Sequence, residues 1–432
     1  MDYNQALDYI HGTYKFGSKL GLKNIKELLK RLGNPEKEFK YIHIAGTNGK
    51  GSVTSMLSHI LYEAGYRVGM FVSPYLENFT ERIQVNLQEM PREDLAKIAQ
   101  RVKGKIDEMV ADGSNHPTEF EIVTAIGLVF FAEKKVDIAV VEVGLGGRLD
   151  STNIVEEPLV SVITTIDFDH MHILGDTLDK IAYEKAGIIK TGRPVISYPQ
   201  QDDAARVIKN IAKDRNAPLY LVTKDQISVK KTSIHENIFD FLYKNSKYKG
   251  LRLKLVGEHQ TLNAATALTT IEVIKELGVY ISKEAIISGL CKTRWPGRLE
   301  KVYENPTIII DGAHNRSGAR ALANTMENYF SQKGITLVLG ILKDKEVEGI
   351  ISNICPLAHT TIITKPDNPR AMEPEELEER VKEYCDNTII ENNLIKAIDK
   401  AKDISKNQGT VLVCGSLYLA GAARHHIKSF YD

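Results

Sequence analysis

The chain has 432 residues, of which 43% are hydrophobic and 26% are charged, an ordinary globular composition. Its 56 basic and 56 acidic residues balance, so no basic excess indicates a nucleic-acid partner. The four scattered cysteines, the absence of signal-peptide features at the N-terminus and the absence of an apolar run near the roughly 20 residues of a membrane helix predict a cytoplasmic protein with reduced thiols and no membrane partner.

Apolar runs rich in Val and Ile recur along the chain, separated by segments with helical spacing. Such runs are typical of parallel strands buried on both faces, and their alternation with helices predicts a doubly wound α/β architecture. Residues 219–256 differ, because their short polar–apolar alternations predict a small antiparallel sheet. The clearest strands are predicted at residues 41–45, 136–143, 159–166, 194–198, 307–310, 336–339, 360–364 and 410–414.

The first predicted strand ends in a glycine-rich turn, Ala45-Gly-Thr-Asn-Gly-Lys-Gly-Ser52, before a helical pattern that begins at Val53 and runs to about Ala64. Strand, glycine turn and helix in this order form a phosphate cradle, because backbone N–H groups close on the anion and the helix N-terminus adds a positive dipole. Lys50 would reach the outer phosphates, and the Ser52 hydroxyl would lie beside a metal. The strict P-loop motif is not matched, since Gly51 separates Lys50 from Ser52, and a plain glycine turn stays an alternative.

Further polar clusters also follow predicted strands. In open α/β sheets ligands bind beyond the carboxyl ends of the strands, so these clusters predict a single cleft. They are residues 142–153, 167–172, 311–315 and 415–416.

Glu142 ends a fully apolar run, and a buried carboxylate needs a cation or hydrogen-bond donors. We interpret it as a Mg²⁺ ligand near the triphosphate; a structural carboxylate that caps backbone amides is the alternative. His170 lies in an Asp-x-Asp-His-x-His segment, which is compatible with Mg²⁺, with zinc or with simple loop polarity.

Lys185 lies on an apolar helical stripe with Ile181 and Ile188, inside a predicted helix over residues 176–189. A lysine there either extends to water or has a partner in the interior. Arg298 follows a Trp-Pro-Gly segment and would either reach phosphates or lie on the surface. Asn263 stands in an amide-rich first helical turn, where it would contact a nucleotide or only pack the helix.

The length exceeds what one core usually supports, so two domains are expected. The boundary is predicted near Pro296-Gly297, where a helical pattern ends and a new strand–helix alternation follows. Residues 1–296 are predicted to form a P-loop ATPase-like domain with a mainly parallel sheet and the small antiparallel sheet. Residues 297–432 are predicted to form a Rossmann-like α/β domain.

Together these blocks resemble the folylpolyglutamate synthase/dihydrofolate synthase family of the Mur ligase superfamily. The glycine turn and the 142–153 segment are highly specific, and the matches span the whole chain in family order. The matching segments are residues 32–36, 45–52, 73–74 with 81–83, 142–153, 169–170, 184–187, 257–268, 296–298, 311–315 and 415–417.

The resemblance implies a role for each matching position. Lys185 matches the lysine that is carbamylated in this family, and His170 becomes an expected Mg²⁺ ligand. Tyr75 stands where several relatives carry His or Phe, so we expect the pterin pocket to differ in detail. The implied catalytic residues are Lys50, Lys185, His170 and Arg298. The implied ATP contacts are Asn48, Gly49, Lys50, Gly51, Ser52, Asn263, Arg298 and Asp311. The implied Mg²⁺ ligands are Ser73, Glu142 and His170. The implied folate contacts are Tyr75, Arg82, Leu149, Asp150, Ser151 and Thr152. The weaker candidates for the glutamate side are His314 and Ser416.

The resemblance implies an ATP-dependent ligase of folate metabolism that adds L-glutamate to the γ-carboxylate of a reduced folate through an acyl phosphate. Its small-molecule partners would be ATP, L-glutamate and a reduced folate or dihydropteroate, and a monomer is expected. Whether it also acts as a dihydrofolate synthase stays open at this point.

Three other functions are less compatible with the sequence. A cell-wall Mur ligase shares the chemistry but needs a UDP-binding domain, and only 45 residues precede the ATP loop here. A non-catalytic P-loop regulator would leave Glu142, His170 and Lys185 without a shared purpose. A dinucleotide-binding oxidoreductase is weaker, because the glycines at 144–147 lack the required spacing and a following helix.

Overall fold

The structure is a computed structural model that describes residues 1–17, 21–330, 334–406 and 409–430. Its first half is built on an eight-stranded sheet. The strands are β1 (Lys40–Ala45), β2 (Val68–Phe71), β3 (Ile83–Val85), β4 (Gln88–Glu89), β5 (Ile138–Glu142), β6 (Val160–Ile163), β7 (Val195–Ser197) and β8 (Leu219–Leu221). Their order is β4-β3-β2-β5-β1-β6-β7-β8. Neighbouring strands in the part β2-β5-β1-β6-β7-β8 pair in parallel, whereas the pairs β2–β3 and β3–β4 at one edge are antiparallel.

Both faces of this sheet are covered by helices. Ile42 and Ile44 of β1 pack into one core cluster and Tyr41 into the other, because successive side chains of a strand point to opposite faces. This two-sided burial explains the continuous apolar runs of the central strands. The helices of this half are α1 (Tyr3–Gly12), α2 (Lys23–Arg31), α3 (Lys50–Glu63), α4 (Arg92–Ala111), α5 (Glu119–Glu133), α6 (Met171–Leu174), α7 (Leu178–Ala186), α8 (Asp202–Asp214), α9 (His259–Glu276) and α10 (Lys283–Lys292).

A small antiparallel sheet packs beside α9 and α10, in the order β11-β10-β9. Its strands are β9 (Ile227–Thr232), β10 (Asn237–Tyr243) and β11 (Ser246–Leu253). The prediction that this sheet spans residues 219–256 is wrong at its start, because β8 pairs in parallel with β7 of the large sheet. The alternating pattern of β8 arises at the sheet edge, where Leu221 is 58% exposed.

The C-terminal part repeats the α/β layering on a second, six-stranded sheet. Its strands are β12 (Glu300–Tyr303), β13 (Thr307–Ile310), β14 (Ile335–Leu339), β15 (Ala358–Ile363), β16 (Thr388–Ile390) and β17 (Thr410–Cys414). They lie in the order β12-β13-β17-β14-β15-β16, and β12 alone among these strands pairs antiparallel. The helices are α11 (Arg316–Phe330), α12 (Val347–Ile354), α13 (Pro374–Val381), α14 (Leu394–Ser405) and α15 (Leu417–Phe430).

The predicted fold class is therefore confirmed: two α/β units, with a small antiparallel sheet added to the first. The domain boundary at residues 296/297 stays a prediction. Two predicted helices differ in their ends. Helix α3 begins at Lys50 rather than Val53, and α7 covers Leu178–Ala186 rather than residues 176–189.

None of the helices in the described ranges has both the length and the apolar character needed to cross a membrane.

The close crossing of α3 and α10 depends on Gly289. A Cβ at Gly289 would lie 2.5 Å from the Ile60 Cα, whereas a Cβ at the exposed Gly104 of α4 would have no neighbour within 4 Å. We expect Gly289→Ala to destabilise the protein by about 1–3 kcal/mol through overpacking. Gly104→Ala, the matched control, should stabilise it by about 0.5–1 kcal/mol, because alanine favours the helix. Urea unfolding of both variants checks this; equal stabilisation by the two would contradict the close crossing.

Candidate active site

The glycine turn after β1 has the geometry of an anion cradle. Gly46 and Gly49 have positive φ angles of 153° and 86°, and a Cβ at Gly46 would lie 1.8 Å from the Thr164 hydroxyl oxygen. Because α3 begins at Lys50, the backbone N–H groups of its first turn lack partners within the helix. Such a helix N-terminus binds phosphate groups.

Lys50 and Glu142 face each other beyond the ends of β1 and β5. The Lys50 Nζ lies 3.8 Å from Glu142 Oε1 and donates to the Thr47 carbonyl oxygen at 3.2 Å. Burial raises the pKa of Glu142 to about 7, although Lys50 and Arg298 oppose the shift. A buried carboxylate with this limited pairing would gain from a bound cation, because ion pairing offsets its desolvation.

Ser73 and His170 lie on the wall of the same cavity as Glu142, which has a volume of about 490 Å³. The Ser73 hydroxyl is buried without a hydrogen-bond partner, and its backbone N–H donates to Glu142. Burial lowers the pKa of His170 to about 4, so its neutral ring can offer a lone pair. The described part of the chain contains no group of three or more His, Cys, Asp or Glu side chains placed to hold a metal.

Lys185 is buried in the interior beside the glycine turn, 5% exposed. Its Nζ donates to the Gly46 carbonyl oxygen at 2.8 Å. Burial, followed in size by the charge of Lys50, lowers the pKa of Lys185 to about 7. A substantial fraction of this amine is therefore uncharged and nucleophilic at neutral pH.

The C-terminal sheet supplies the opposite wall of the large cavity. Arg298, His314 and Ser416, all of which the sequence singled out, line it. The two walls also touch directly. The Asn48 and Asn315 side-chain amides hydrogen bond reciprocally, with N···O distances of 3.0 and 3.1 Å.

Two further cations on this wall were missed from the sequence. Lys345 lines the cavity, and its Nζ lies 2.8 Å from Asp169 Oδ1. Arg370 also lines the cavity and pairs with Asp344 at 3.1 Å. Their loops follow β14 and β15, so the rule that polar clusters after strands mark the cleft would have found both.

The predicted folate contacts do not all line the same cavity. Arg82 lines the large cavity, with its guanidinium carbon 5.0 Å from the centre of the Tyr75 ring and its Nε buried without a hydrogen-bond partner. Tyr75 itself lines a third cavity of about 360 Å³. Thr152 lies outside the residues that line these cavities; its hydroxyl donates to Asp150 at 2.6 Å and contacts His43 Nε2 at 2.8 Å. The other three predicted contacts on the wall of the large cavity are Leu149, Asp150 and Ser151.

A second cavity, of about 320 Å³, is also lined by Asn48 and Gly49 of the glycine turn. Ser52, Asn263 and Asp311 line it, as expected of residues that contact one nucleotide. Asp311 accepts backbone N–H groups of Leu299 and Ala313 at 2.8 and 2.7 Å, so its carboxylate also holds the loop after β13 in place.

Comparison with known proteins agrees with this arrangement. Residues 44–271 match the family described as Mur ligase middle domain, and residues 297–417 match Mur ligase, glutamate ligase domain. A dihydrofolate synthase/folylpolyglutamate synthase of Bacillus subtilis (strain 168) is 40% identical over 431 residues, covering 99% of this chain and 99% of the relative.

Two solved structures share the whole fold. The Mycobacterium tuberculosis folylpolyglutamate synthase complexed with ADP and AMPPCP has a TM-score of 0.90 at 31% identity, covering 98% of this chain and 99% of that one. E. coli FolC in complex with DHPP and ADP has a TM-score of 0.88 at 31% identity, covering 99% of this chain and 98% of that one. The chain therefore belongs to the folylpolyglutamate synthase/dihydrofolate synthase family of the Mur ligases, which are ATP-dependent acid–amino-acid ligases.

Proposed function

We propose that this chain joins L-glutamate to the γ-carboxylate of a reduced folate, using ATP, and that it also adds the first glutamate to dihydropteroate. One observation carries the proposal: Asn48, Gly49 and Arg298 line both the large cavity and the second cavity. A phosphate chain held by the glycine turn would therefore run from a nucleoside in the second cavity to an acid in the large one.

The chemistry requires such a junction. A carboxylate is a poor acyl donor because oxide is a poor leaving group. Attack of a carboxylate oxygen on the γ-phosphorus of ATP releases ADP and gives an acyl phosphate. The amine of glutamate then attacks the acyl carbon, and phosphate leaves with the C–O electron pair. Lys50 and Arg298 would neutralise the phosphate charge during both steps.

Mg²⁺ fits the wall formed by Ser73, Glu142 and His170. Carboxylate and hydroxyl oxygens are ligands that Mg²⁺ accepts, and it usually keeps water and phosphate oxygens as its remaining ligands. The unpartnered Ser73 hydroxyl and the buried Glu142 carboxylate support this assignment. When bound, the ion would supply positive charge to the phosphates of ATP.

The acid and the amino acid would bind at opposite ends of the large cavity. The buried, unpartnered Nε of half-buried Arg82 would donate a hydrogen bond to a polar group of the folate or dihydropteroate. Lys345 and Arg370, from the C-terminal wall, would hold the carboxylates of L-glutamate, beside His314 and Ser416. Action as a monomer in the cytoplasm stays a prediction.

Glutamate incorporation with MgATP tests the proposal. We expect labelled glutamate to appear in products of both tetrahydrofolate and dihydropteroate, assayed separately and resolved by length. Lys50→Ala should abolish both reactions while leaving the unfolding transition unchanged, because Lys50 acts on phosphate. ADP release that does not depend on either acid would favour a nucleotide-binding regulator instead.

We propose that Lys185 is carbamylated. Its uncharged amine would add to CO₂, forming an N–C bond and releasing one proton, which turns the neutral buried amine into an anionic carbamate. Removal of CO₂ should lower activity by at least about tenfold, the scale on which groups that support a metal site act. Bicarbonate should restore activity, and equimolar chloride should not.

The labelled group can be followed directly. With ¹³CO₂, the wild type should show a carbamate resonance that Lys185→Met lacks. A resonance that persists in Lys185→Met, or activity indifferent to CO₂, would contradict the carbamate.

Arg370→Ala should weaken glutamate binding selectively. Losing a charge-assisted hydrogen bond worth about 1.5–3 kcal/mol should raise the KM for glutamate roughly 10- to 100-fold. The KM for ATP and for the folate should stay close to that of the wild type. Arg380→Ala, which removes an exposed arginine paired with Glu376 on α13, is the matched control. A rise in the ATP KM instead would place Arg370 on the nucleotide side.

A further inference from the structure

His314 is held in one tautomer by the loop that follows β13. Its Nδ1 lies 2.8 Å from the Gly312 carbonyl oxygen. Because a carbonyl oxygen only accepts hydrogen bonds, Nδ1 must carry a proton. In the neutral ring Nε2 then presents a lone pair.

That lone pair faces a second acceptor. His314 Nε2 lies 3.7 Å from Asp169 Oδ2, and the same carboxylate already receives Lys345 on Oδ1 at 2.8 Å and the Asn315 amide on Oδ2 at 3.1 Å. A nitrogen placed to one side of this pair could donate hydrogen bonds to both acceptors. Both His314 and Asp169 line the large cavity, so this position is open to a ligand.

The charges around His314 keep it neutral in the free protein. Burial, reinforced by the Lys345 cation, lowers the pKa of His314 to about 4, while Asp169 opposes the shift and Arg298 adds to it. The ring is therefore neutral in the free protein, with its Nε2 lone pair available. The negative charge of a bound acyl phosphate would raise the pKa of this histidine, which would make it a stronger base when the substrates are present.

We propose that His314 Nε2 accepts the proton that the amino group of the incoming amino acid must lose when it attacks the acyl phosphate. This inference rests on the proposed function, because it names the base of that same reaction. Asp169 would stabilise the imidazolium that forms, as a carboxylate beside a catalytic histidine does.

The step balances as follows. The amino acid brings an ammonium group with three N–H protons, and the C–N bond forms as the C–O bond to phosphate breaks. One proton passes to His314 Nε2 before the C–N bond forms, because an ammonium nitrogen has no lone pair with which to attack, and then moves to solvent. One proton leaves with phosphate as hydrogen phosphate, and one stays on the amide nitrogen.

The other groups at this wall are less suited to take the proton. Lys345 is engaged as a donor to Asp169, and both oxygens of that carboxylate already accept hydrogen bonds. The Ser416 hydroxyl is too weakly basic, and Arg370 has no lone pair to offer. His314 combines an unoccupied lone pair with a place on the cavity wall.

Hydroxylamine separates the role of a base from the role of a binding group. It is largely unprotonated at neutral pH, so it can attack the acyl phosphate without help from a base, yielding a hydroxamate. His314→Gln keeps a hydrogen-bonding group near the Nε2 position but cannot accept a proton. His235→Gln is the matched control, because His235 is exposed and lies in the turn between β9 and β10.

We expect His314→Gln to lower kcat for glutamate by at least about 100-fold with little change in its KM, and to form hydroxamate and ADP within about threefold of wild type. His235→Gln should match wild type in both assays. The retained hydroxamate activity also shows that the variant is folded and makes the acyl phosphate.

Two results would overturn the assignment. A full kcat at saturating glutamate with a raised KM would make His314 a binding residue only. An equal loss of hydroxamate and of glutamate product would place its role before the amine attack. A wild type that forms neither the glutamate product nor the hydroxamate, with tetrahydrofolate or dihydropteroate, would contradict the proposed function and therefore the base as well. This outcome differs from the two results above, in which the wild type is active.

Discussion

The burial of unlike charges at the junction of the two sheets is the constraint on which the site depends. Glu142, Lys185 and Lys345 are largely hidden from water. Lys345 lies 2.8 Å from Asp169, Glu142 lies 3.8 Å from Lys50, and Lys185 donates to a backbone carbonyl oxygen. Burying ions costs several kcal/mol each unless partners compensate. The protein thus retains groups whose charges are only partly balanced, so a bound ion or charged ligand would offset part of their desolvation.

Rigid strand ends hold these groups in place. β1, β5 and β6 are neighbours in a sheet buried on both faces, so the loops that follow them meet at one edge. The glycine turn, Glu142 and Asp169 come from three different places in the sequence and reach the same cavity for this reason. The second sheet does the same for Arg298, His314 and Ser416. Catalysis by positioning requires this stiffness, because small displacements of reacting groups cost large factors in rate.

The sequence predicts the buried strands well, but it does not predict features that depend on tertiary packing. Strands β13 and β17 match their predicted bounds residue for residue, because their apolar runs are buried on both faces. The start of α3 was predicted too late, since Gly51 and Ser52 disfavour helix locally. Tertiary packing overrides this: a Cβ at Gly51 would lie 2.7 Å from the Trp295 ring, so the first turn packs tightly under that side chain. The family resemblance implies a folate contact at Thr152, whereas its hydroxyl donates to Asp150 and contacts His43, which no linear pattern reveals.

The contacts between the two walls of the large cavity affect how an acyl phosphate would be shielded from water. Such an intermediate must be shielded from water, yet ATP and glutamate must reach a cavity enclosed from both sides. The direct contacts at the cavity are polar: the reciprocal amide pair of Asn48 and Asn315, and the Asp169–Lys345 ion pair. Neutral hydrogen bonds contribute only about 0.5–1.5 kcal/mol each, because water replaces them when they break. The polar contacts at the cavity would therefore cost little to break, whereas the apolar packing of Leu76 and Val256 against the C-terminal cores would resist separation of the two units. The apolar contacts away from the reaction cavity, and not the polar pairs that line it, would thus contribute most of the cost of opening it.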